Sequence, residues 1–299
     1  MTDEEYLKNV LKDQTLADDS DEMKELRTER GEVEKVLRDK YANCDFTVRY
    51  GGSKAKGTLI KEMYDLDLVF YLHAGENGAG ETLEDIFFNV AETLRSKYTV
   101  REKTSALRLT SNDPQKAGSD LHIDVVPGRF TSDDRDDCYL YQNSGDKARL
   151  KTNLDTHIAH VRDSGVLDAL RLLKLLRVRR HLSVKQFAWE LLVVKLLKSH
   201  KKDDLLAQLD HVLEEIENAE EAITIEDPAN PTGNDLMPLL RDAWWSIRNM
   251  ARDVRAQVKS NGWEAIFGAV EAEKVARVAR LTAAAQSARA PIQPWDMGN

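Results

Sequence analysis

Proline, cysteine and unbroken apolar stretches are all scarce in this chain, as is surplus positive charge. Its two cysteines, Cys44 and Cys138, stand far apart and lack the partner spacing of a metal site. That argues against a disulfide framework and points to reduced thiols in a cytoplasmic setting. No apolar run approaches the roughly 20 residues that a membrane-spanning helix needs. The acidic, amphipathic start MTDEEYLKNVLKDQ reads against a secretory or mitochondrial leader. With 43 Lys and Arg against 52 Asp and Glu, the formal net charge is −9. Long nucleic acid is therefore not expected as a ligand, since proteins that bind it usually carry a positive surplus to displace counterions. What is present is 41% hydrophobic residues over 299 positions, enough for one large domain or two lobes sharing an interface.

The pattern changes character about halfway along. Ser20 to Tyr41 reads as a long polar helix with a sparse apolar stripe of Leu26, Val33 and Leu37. DFTVRY (45–50) alternates like a strand, LDLVFYL (66–72) is nearly continuous apolar strand, and ETLEDIFFNVAETLRSKY (81–98) is an amphipathic helix. ALRLT (106–110) and LHIDVVP (121–127) read as two further strands, the second ended by Pro127. From about Lys147 the periodicity is helical, over 147–162, 165–180, 184–198, 203–219, 234–259 and 262–287. There is no internal repeat. The expected fold is α+β and two-lobed: a mixed-sheet lobe with the N-terminal helix over 1–146, a helical lobe over 147–299, and a cleft between them.

Chemistry concentrates where the first apolar strand begins. With 52 acidic residues, chance alone gives about nine acidic-x-acidic triplets, so a bare Asp-x-Asp carries little weight. Context adds it. Asp65 and Asp67 fall on one strand face because side chains alternate with period two, and Leu66, Leu68, Val69 and Phe70 are what a buried central strand carries. Two carboxylates at the mouth of such a strand repel unless a cation lies between them, and hard cations prefer oxygen ligands. Asp124, on the apolar strand LHIDVVP, can complete the set. Three carboxylates holding two magnesium ions, or manganese in their place, suit an in-line phosphoryl displacement. The plainer reading is three strand-end residues that only face solvent.

Immediately upstream, Gly51, Gly52 and Ser53 sit between two strands. Glycine lets the backbone approach a phosphate, and the serine hydroxyl can donate to it. Gly52 to Thr58 spells G-x-x-x-x-G-T and lacks the lysine of a P-loop. A P-loop also feeds a helix, whereas this stretch is expected to run straight on to an aspartate strand.

In order along the chain, Gly52-Ser53, Gly57-Thr58, Asp65-x-Asp67 and Ile123-Asp124-Val125-Val126-Pro127 resemble the polymerase-beta-like nucleotidyltransferases. DALRLLKLLRVRR (168–180) is similar to the lysine-bearing spine helix of the cyclic GMP–AMP synthase and oligoadenylate synthetase family. KQFAWELLVVKLL (185–197) is similar to the helix that follows it, IEDPANPTGND (225–235) to its aspartate–proline segment, and NGWEAIFG (261–268) to the tail of bacterial members. Over residues 45 to 268 the chain thus resembles the bacterial cGAS/DncV-like nucleotidyltransferases. The resemblance implies a two-metal enzyme that joins NTPs, ATP among them, into a cyclic di- or trinucleotide messenger of anti-phage defence. It also implies a regulatory protein partner and a downstream effector activated by the product.

The same resemblance assigns roles in the helical half. Lys174 would reach the triphosphate, with the plainer alternative that Arg171, Lys174 and Arg177 form one solvated basic face. Gln186 and Phe187 would touch the phosphates and stack on a base, at positions where the family more often has serine and tyrosine. His122 is expected to be a bystander beside Asp124, and His157 and His160 are expected at the surface. Trp244 and Trp245 are expected to pack at the lobe interface, and DPANP to be a rigid connector. Competing expectations are a transferase acting on RNA ends, one that modifies a protein, a synthase of linear oligonucleotides, and a nucleotide-binding regulator without turnover.

Overall fold

In this computed structural model, which describes residues 1–113, 121–145 and 147–270, a seven-stranded mixed sheet lies beside a body of helices. The strands are β1 (Phe46–Tyr50), β2 (Leu66–Leu72), β3 (Tyr98–Glu102), β4 (Leu107–Ser111), β5 (Ile123–Phe130), β6 (Cys138–Tyr141) and β7 (Arg149–Thr152). They are ordered β1-β2-β5-β4-β3, with β6 pairing the far half of β5 and β7 pairing β6. Only β2 and β5 run parallel.

The alternation in β2 sets the layers. Leu66, Leu68, Phe70 and Leu72 point into a core shared with helices α2 (Asp21–Lys40) and α4 (Leu83–Leu94). Val69 and Tyr71 point the other way, to a smaller cluster with Phe130, Cys138 and Leu140. Period-two geometry puts Asp67, and Asp65 just before the strand, on this second face. Both helices start where side chains satisfy their first N–H groups: Ser20 accepts from Met23 N in α2, and Thr82 and Asp85 form a capping box in α4.

The helical body has its own core, built from α5 (Leu154–Arg162), α6 (Leu167–Arg179), α7 (Gln186–Leu196), α8 (Leu205–Asn218), α9 (Pro238–Arg241), α10 (Trp244–Asn261) and α11 (Glu264–Phe267). Helix α6 is buried nearly all round, with Leu170, Leu172, Leu173, Leu175 and Leu176 inside. The N-terminal helix α1 (Asp3–Gln14) packs here too, through Tyr6, Leu7, Val10 and Leu11. The hydrophobic cores therefore do not follow a division at residue 146: α1 joins the helices, and β7 completes the sheet.

Several expectations are corrected. Residues 149–152, expected to be helical, form β7. Pro127 does not end its strand, because β5 runs on to Phe130. It falls where β4 has ended and β6 has not begun, so its missing N–H costs no ladder bond on that side. The glycine turn does feed a helix, the five-residue α3 (Gly52–Lys56), which Gly57 ends in the left-handed conformation. The expected helix over 262–287 is described only to residue 270, where α11 accounts for four residues; the remainder lies outside the described residues. Among the described residues no helix is long and apolar enough to cross a membrane.

Candidate active site

The parallel pairing of β2 with β5 brings the carboxylates together. Asp67 and Asp124 are direct register partners, and Asp65 lies two residues earlier on the same face. Leu66 N donates to His122 O at 2.8 Å, so pairing begins right at the site. His122, expected as a bystander, places Nδ1 3.6 Å from Asp65 Oδ1 at the rim.

Gly52 is dictated by this arrangement. It has φ +48°, and a Cβ there would fall inside the Asp67 carboxylate and within 2.8 Å of its own Cβ. Only glycine allows α3 to sit directly on Asp67. Gly51 N ties the turn to the strand by donating to Asp67 O at 2.8 Å. Ser53, in the first turn of α3, is buried beside it.

The three carboxylates are not equivalent. Burial pushes the Asp67 carboxyl up to about 6, and the neighbouring charges of Asp124 and Asp65 add to the effect; Lys56 and Lys174 oppose it. Burial acts on Asp124 too, but hydrogen bonds from Arg108 and Lys103 outweigh it and hold its carboxyl below the usual range. Arg108 Nε donates to Oδ1 at 2.9 Å and Nη2 to Oδ2 at 2.8 Å, while Lys103 Nζ donates to Oδ2 at 2.8 Å. Among the described residues no group of three His, Cys, Asp or Glu is arranged to hold a metal ion. The donor set nonetheless suits a hard cation: all ligands are carboxylate oxygens, crowded enough to raise Asp67, and Asp124 already draws two positive groups to itself. Arg108 faces Asp124 across the sheet from β4. Neither it nor Lys103 was found from the sequence, because that pairing is long-range.

The helical side faces the carboxylates with buried cations. Lys174 is 2% exposed, and its Nζ donates to Thr58 O at 3.2 Å. Burial lowers its ammonium to about 8; Glu190, Asp65 and Asp67 resist that, and Arg177 adds to it. The plainer alternative of a solvated basic face is therefore set aside, because each cation of α6 is taken by a different segment of the chain. Arg171 donates to Thr15 at the end of α1, Arg177 to Val184 O, Arg179 to Glu62 and Phe267 O, and Arg180 to Gln257. What looks like a charge run is a set of struts along a buried helix.

Glu190 on α7, unmarked in the sequence reading, is 1% exposed. It accepts from Lys56 Nζ at 2.7 Å, Thr58 Oγ1 at 3.1 Å and Gln186 Nε2 at 3.1 Å. Gln186 thus lies in this network, with its Oε1 buried and unpartnered. Phe187 has Lys56 Nζ 5.2 Å above its ring and the His157 ring centroid 4.8 Å away. His157 is corrected from a surface residue: it is half-buried and Nε2 donates to Asp227 Oδ1 at 2.7 Å. Asp227, the acid of the DPANP connector, also accepts from Asn234 Nδ2 at 2.7 Å and Ala229 N at 2.9 Å. The connector thereby buttresses the helix that bears His157. His160 is exposed, as expected. Both tryptophans are corrected: Trp244 is buried in the core of the helical body, its Nε1 donating to Ala219 O at 3.3 Å, and Trp245 is 77% exposed and lines a cavity of about 740 Å³ between α10 and the 180–185 turn.

No family profile and no curated protein matches the sequence. In structure, the chain is similar over about 90% of its length to bacterial cGAS/DncV-like nucleotidyltransferases. It aligns with CdnC of E. coli MS115-1, solved with ATP, at 18% identity and a TM-score of 0.65, covering 90% of this chain and 98% of that one. The same CdnC has also been solved in a HORMA-deltaN complex. The CdnE cyclic dinucleotide synthase of Elizabethkingia meningoseptica, with GTP and Apcpp, aligns at 17% identity and 0.63, over 84% and 98%. Vibrio cholerae DncV cyclic AMP-GMP synthase, a prokaryotic cGAS homolog, aligns at 17% and 0.60, over 90% and 81%. At these identities what is shared is the fold.

Proposed function

We propose that this chain, which carries the fold of the cGAS/DncV-like nucleotidyltransferases, is itself a template-independent nucleotidyltransferase. In this reading it joins NTPs, ATP among them, into a cyclic di- or trinucleotide messenger of anti-phage defence and releases pyrophosphate. The observation that carries the reading is the register match of Asp67 with Asp124, with Asp65 on the same face and buried Lys174 opposite. Crowded carboxylates facing a buried ammonium suit cations bridging to a polyphosphate, and a structural salt bridge would not need the third acid.

Asp65 and Asp67 would hold two magnesium or manganese ions, with Asp124 holding the one on the side of the attacking hydroxyl. The ions supply charge neutralisation at the attacking and leaving oxygens. Gly52 brings the backbone of α3 close to Asp67, placing Ser53 where its hydroxyl can donate to a phosphate. Lys174 neutralises the triphosphate from the helical side, and Gln186 offers a polar contact beside it. Phe187 provides a ring for a base, once Lys56 or His157 gives up its place against it. The catalytic groups divide into a lobe over 1–146 and one over 147–299, with α1 bound across to the second. The acidic chain offers a long polymer little to hold. A regulatory protein partner is part of the proposal, supported by the HORMA complex of the CdnC relative, as are a product-activated effector and a cytoplasmic setting.

The test is incubation of the purified protein with labelled NTPs, singly and in pairs, with Mg²⁺, followed by phosphatase digestion and mass spectrometry. A small phosphatase-resistant product is expected. A growing ladder of linear oligomers, or label on RNA or protein, would overturn cyclisation. Failure to turn over any NTP would leave a nucleotide-binding regulator.

A further inference from the structure

The junction of the two lobes is built around one buried acid that the proposed chemistry does not use. Glu190 draws Lys56 and Thr58 from the sheet side onto α7, together with Gln186 of its own helix. Thr58 is gripped twice, its hydroxyl by Glu190 and its carbonyl by Lys174. Because Thr58 N also bonds Ser53 O at 2.9 Å, this grip continues into α3 and the glycine over Asp67. A carboxylate so enclosed is expensive to desolvate and is retained only where several partners satisfy it.

We propose that Glu190 is a positioning residue, which holds Lys56 directly and Lys174 through Thr58 as charged ammonium groups behind the carboxylate pair. The role assigned to Lys174 rests on the nucleotidyltransferase reading; the electrostatic role of Glu190 does not. The charged groups facing Lys174 are Glu190 on α7, Asp65 and Asp67 at the start of β2, and Arg177 on α6, with Lys56 on α3 held by the same acid. Burial and Arg177 drive the Lys174 proton off; of the groups that keep it on, Glu190 has the largest effect. Neutralising Glu190 leaves Lys56 without the acid it pairs with, and Lys174 without the largest of the charges that keep its proton on.

The experiment is titration of Lys174 by NMR in protein labelled at lysine Cε, assigned with Lys174→Met, in the wild type and in Glu190→Gln. The wild-type midpoint is expected near 8, falling by about one unit or more in Glu190→Gln. Binding of a non-hydrolysable ATP analogue with Mg²⁺ is measured alongside, from pH 6.5 to 9. With about tenfold riding on the Lys174 charge, a one-unit shift predicts affinities nearly equal at pH 6.5 and about threefold weaker binding by the variant at pH 8. A merely structural acid would weaken binding equally at every pH and leave the Lys174 midpoint in place; either result overturns the proposal. Should Glu190→Gln fail to fold, Lys56→Met/Glu190→Gln removes both charges of the buried pair, and the Lys174 midpoint is again expected to fall. Absence of analogue binding to the wild type at all pH values would overturn the nucleotidyltransferase reading, while the titration would still decide the role of Glu190.

Discussion

The start of β2 and helix α6 are electrostatic mirror images. At the start of β2, folding buries an acid among acids and pushes Asp67 up to about 6; on the helix it buries a base beside another base and pulls Lys174 down to about 8. Each side meets the cost differently. The sheet gives Asp67 no cation of its own strands and only the more distant charges of Lys56 and Lys174, but saturates Asp124 with Arg108 and Lys103, whereas the helices give every cation its own acceptor. The contrast teaches that the unspent negative charge lies in a small patch around Asp65 and Asp67. The positive side is pre-assembled and braced. A polyanion carrying divalent cations complements both at once.

The harshest way to break this comparison is to remove the acidic half. Asp65→Asn/Asp67→Asn is expected to lower the rate of NTP turnover by at least about 100-fold, by analogy with other lost electrostatic stabilisers; near-wild-type turnover would sink the metal assignment.

The same acids should show their cost in the metal-free protein. Because the folded carboxyl of Asp67 titrates above its unfolded value, the native state keeps a proton that the unfolded chain has already lost between about pH 4 and 6. Stability from this group is full below that window and lost as pH rises through about 6. Asp67→Asn is therefore expected to be more stable than wild type at pH 7.5 by about 2 kcal/mol, allowing for solvent at the mouth, and equal to it near pH 3.5. Urea unfolding in EDTA at the two pH values measures this.

Removing the basic half should have a smaller effect, since other cations stand nearby. Lys174→Met, which keeps the buried volume, is expected to weaken ATP binding about tenfold while the melting temperature holds or rises. Unchanged affinity would reduce Lys174 to a strut of α6. At the wall between the halves, Phe187→Ala should cost about 1–3 kcal/mol of nucleotide binding with little change in base preference, since every base has a π face. Its loss leaving affinity untouched would mean that Lys56 and His157 keep the ring to themselves.

Legibility followed range. β2 matches its expected limits of 66 and 72 because a continuous apolar strand is a local signal, and the Leu26, Val33 and Leu37 stripe of α2 is buried as read. The short strands β3, β6 and β7 were missed although each pairs with a strand next to it in the chain, because four or five residues carry too little alternation to read. α3 was missed because five residues give no periodicity. On α6 the spacing was read, but burial on every side was not, and that turned an apparent solvated face into struts.

By itself the sequence determined the apolar strands, the helical second half, and three acids placed so that alternation puts Asp65 and Asp67 on one face. Those follow from periodicities of two and 3.6, which a chain carries without knowing its neighbours. Only the tertiary structure decided that Asp124 meets Asp67 in register, that Arg108 and Lys103 cover it, and that α1 crosses to the helices. It alone made Glu190 the acid between Lys56 and Thr58, at sequence separations of 134 and 132 residues. The physical reason is desolvation: a charge is cheap anywhere on an open chain, and its partner matters only once packing has removed the water.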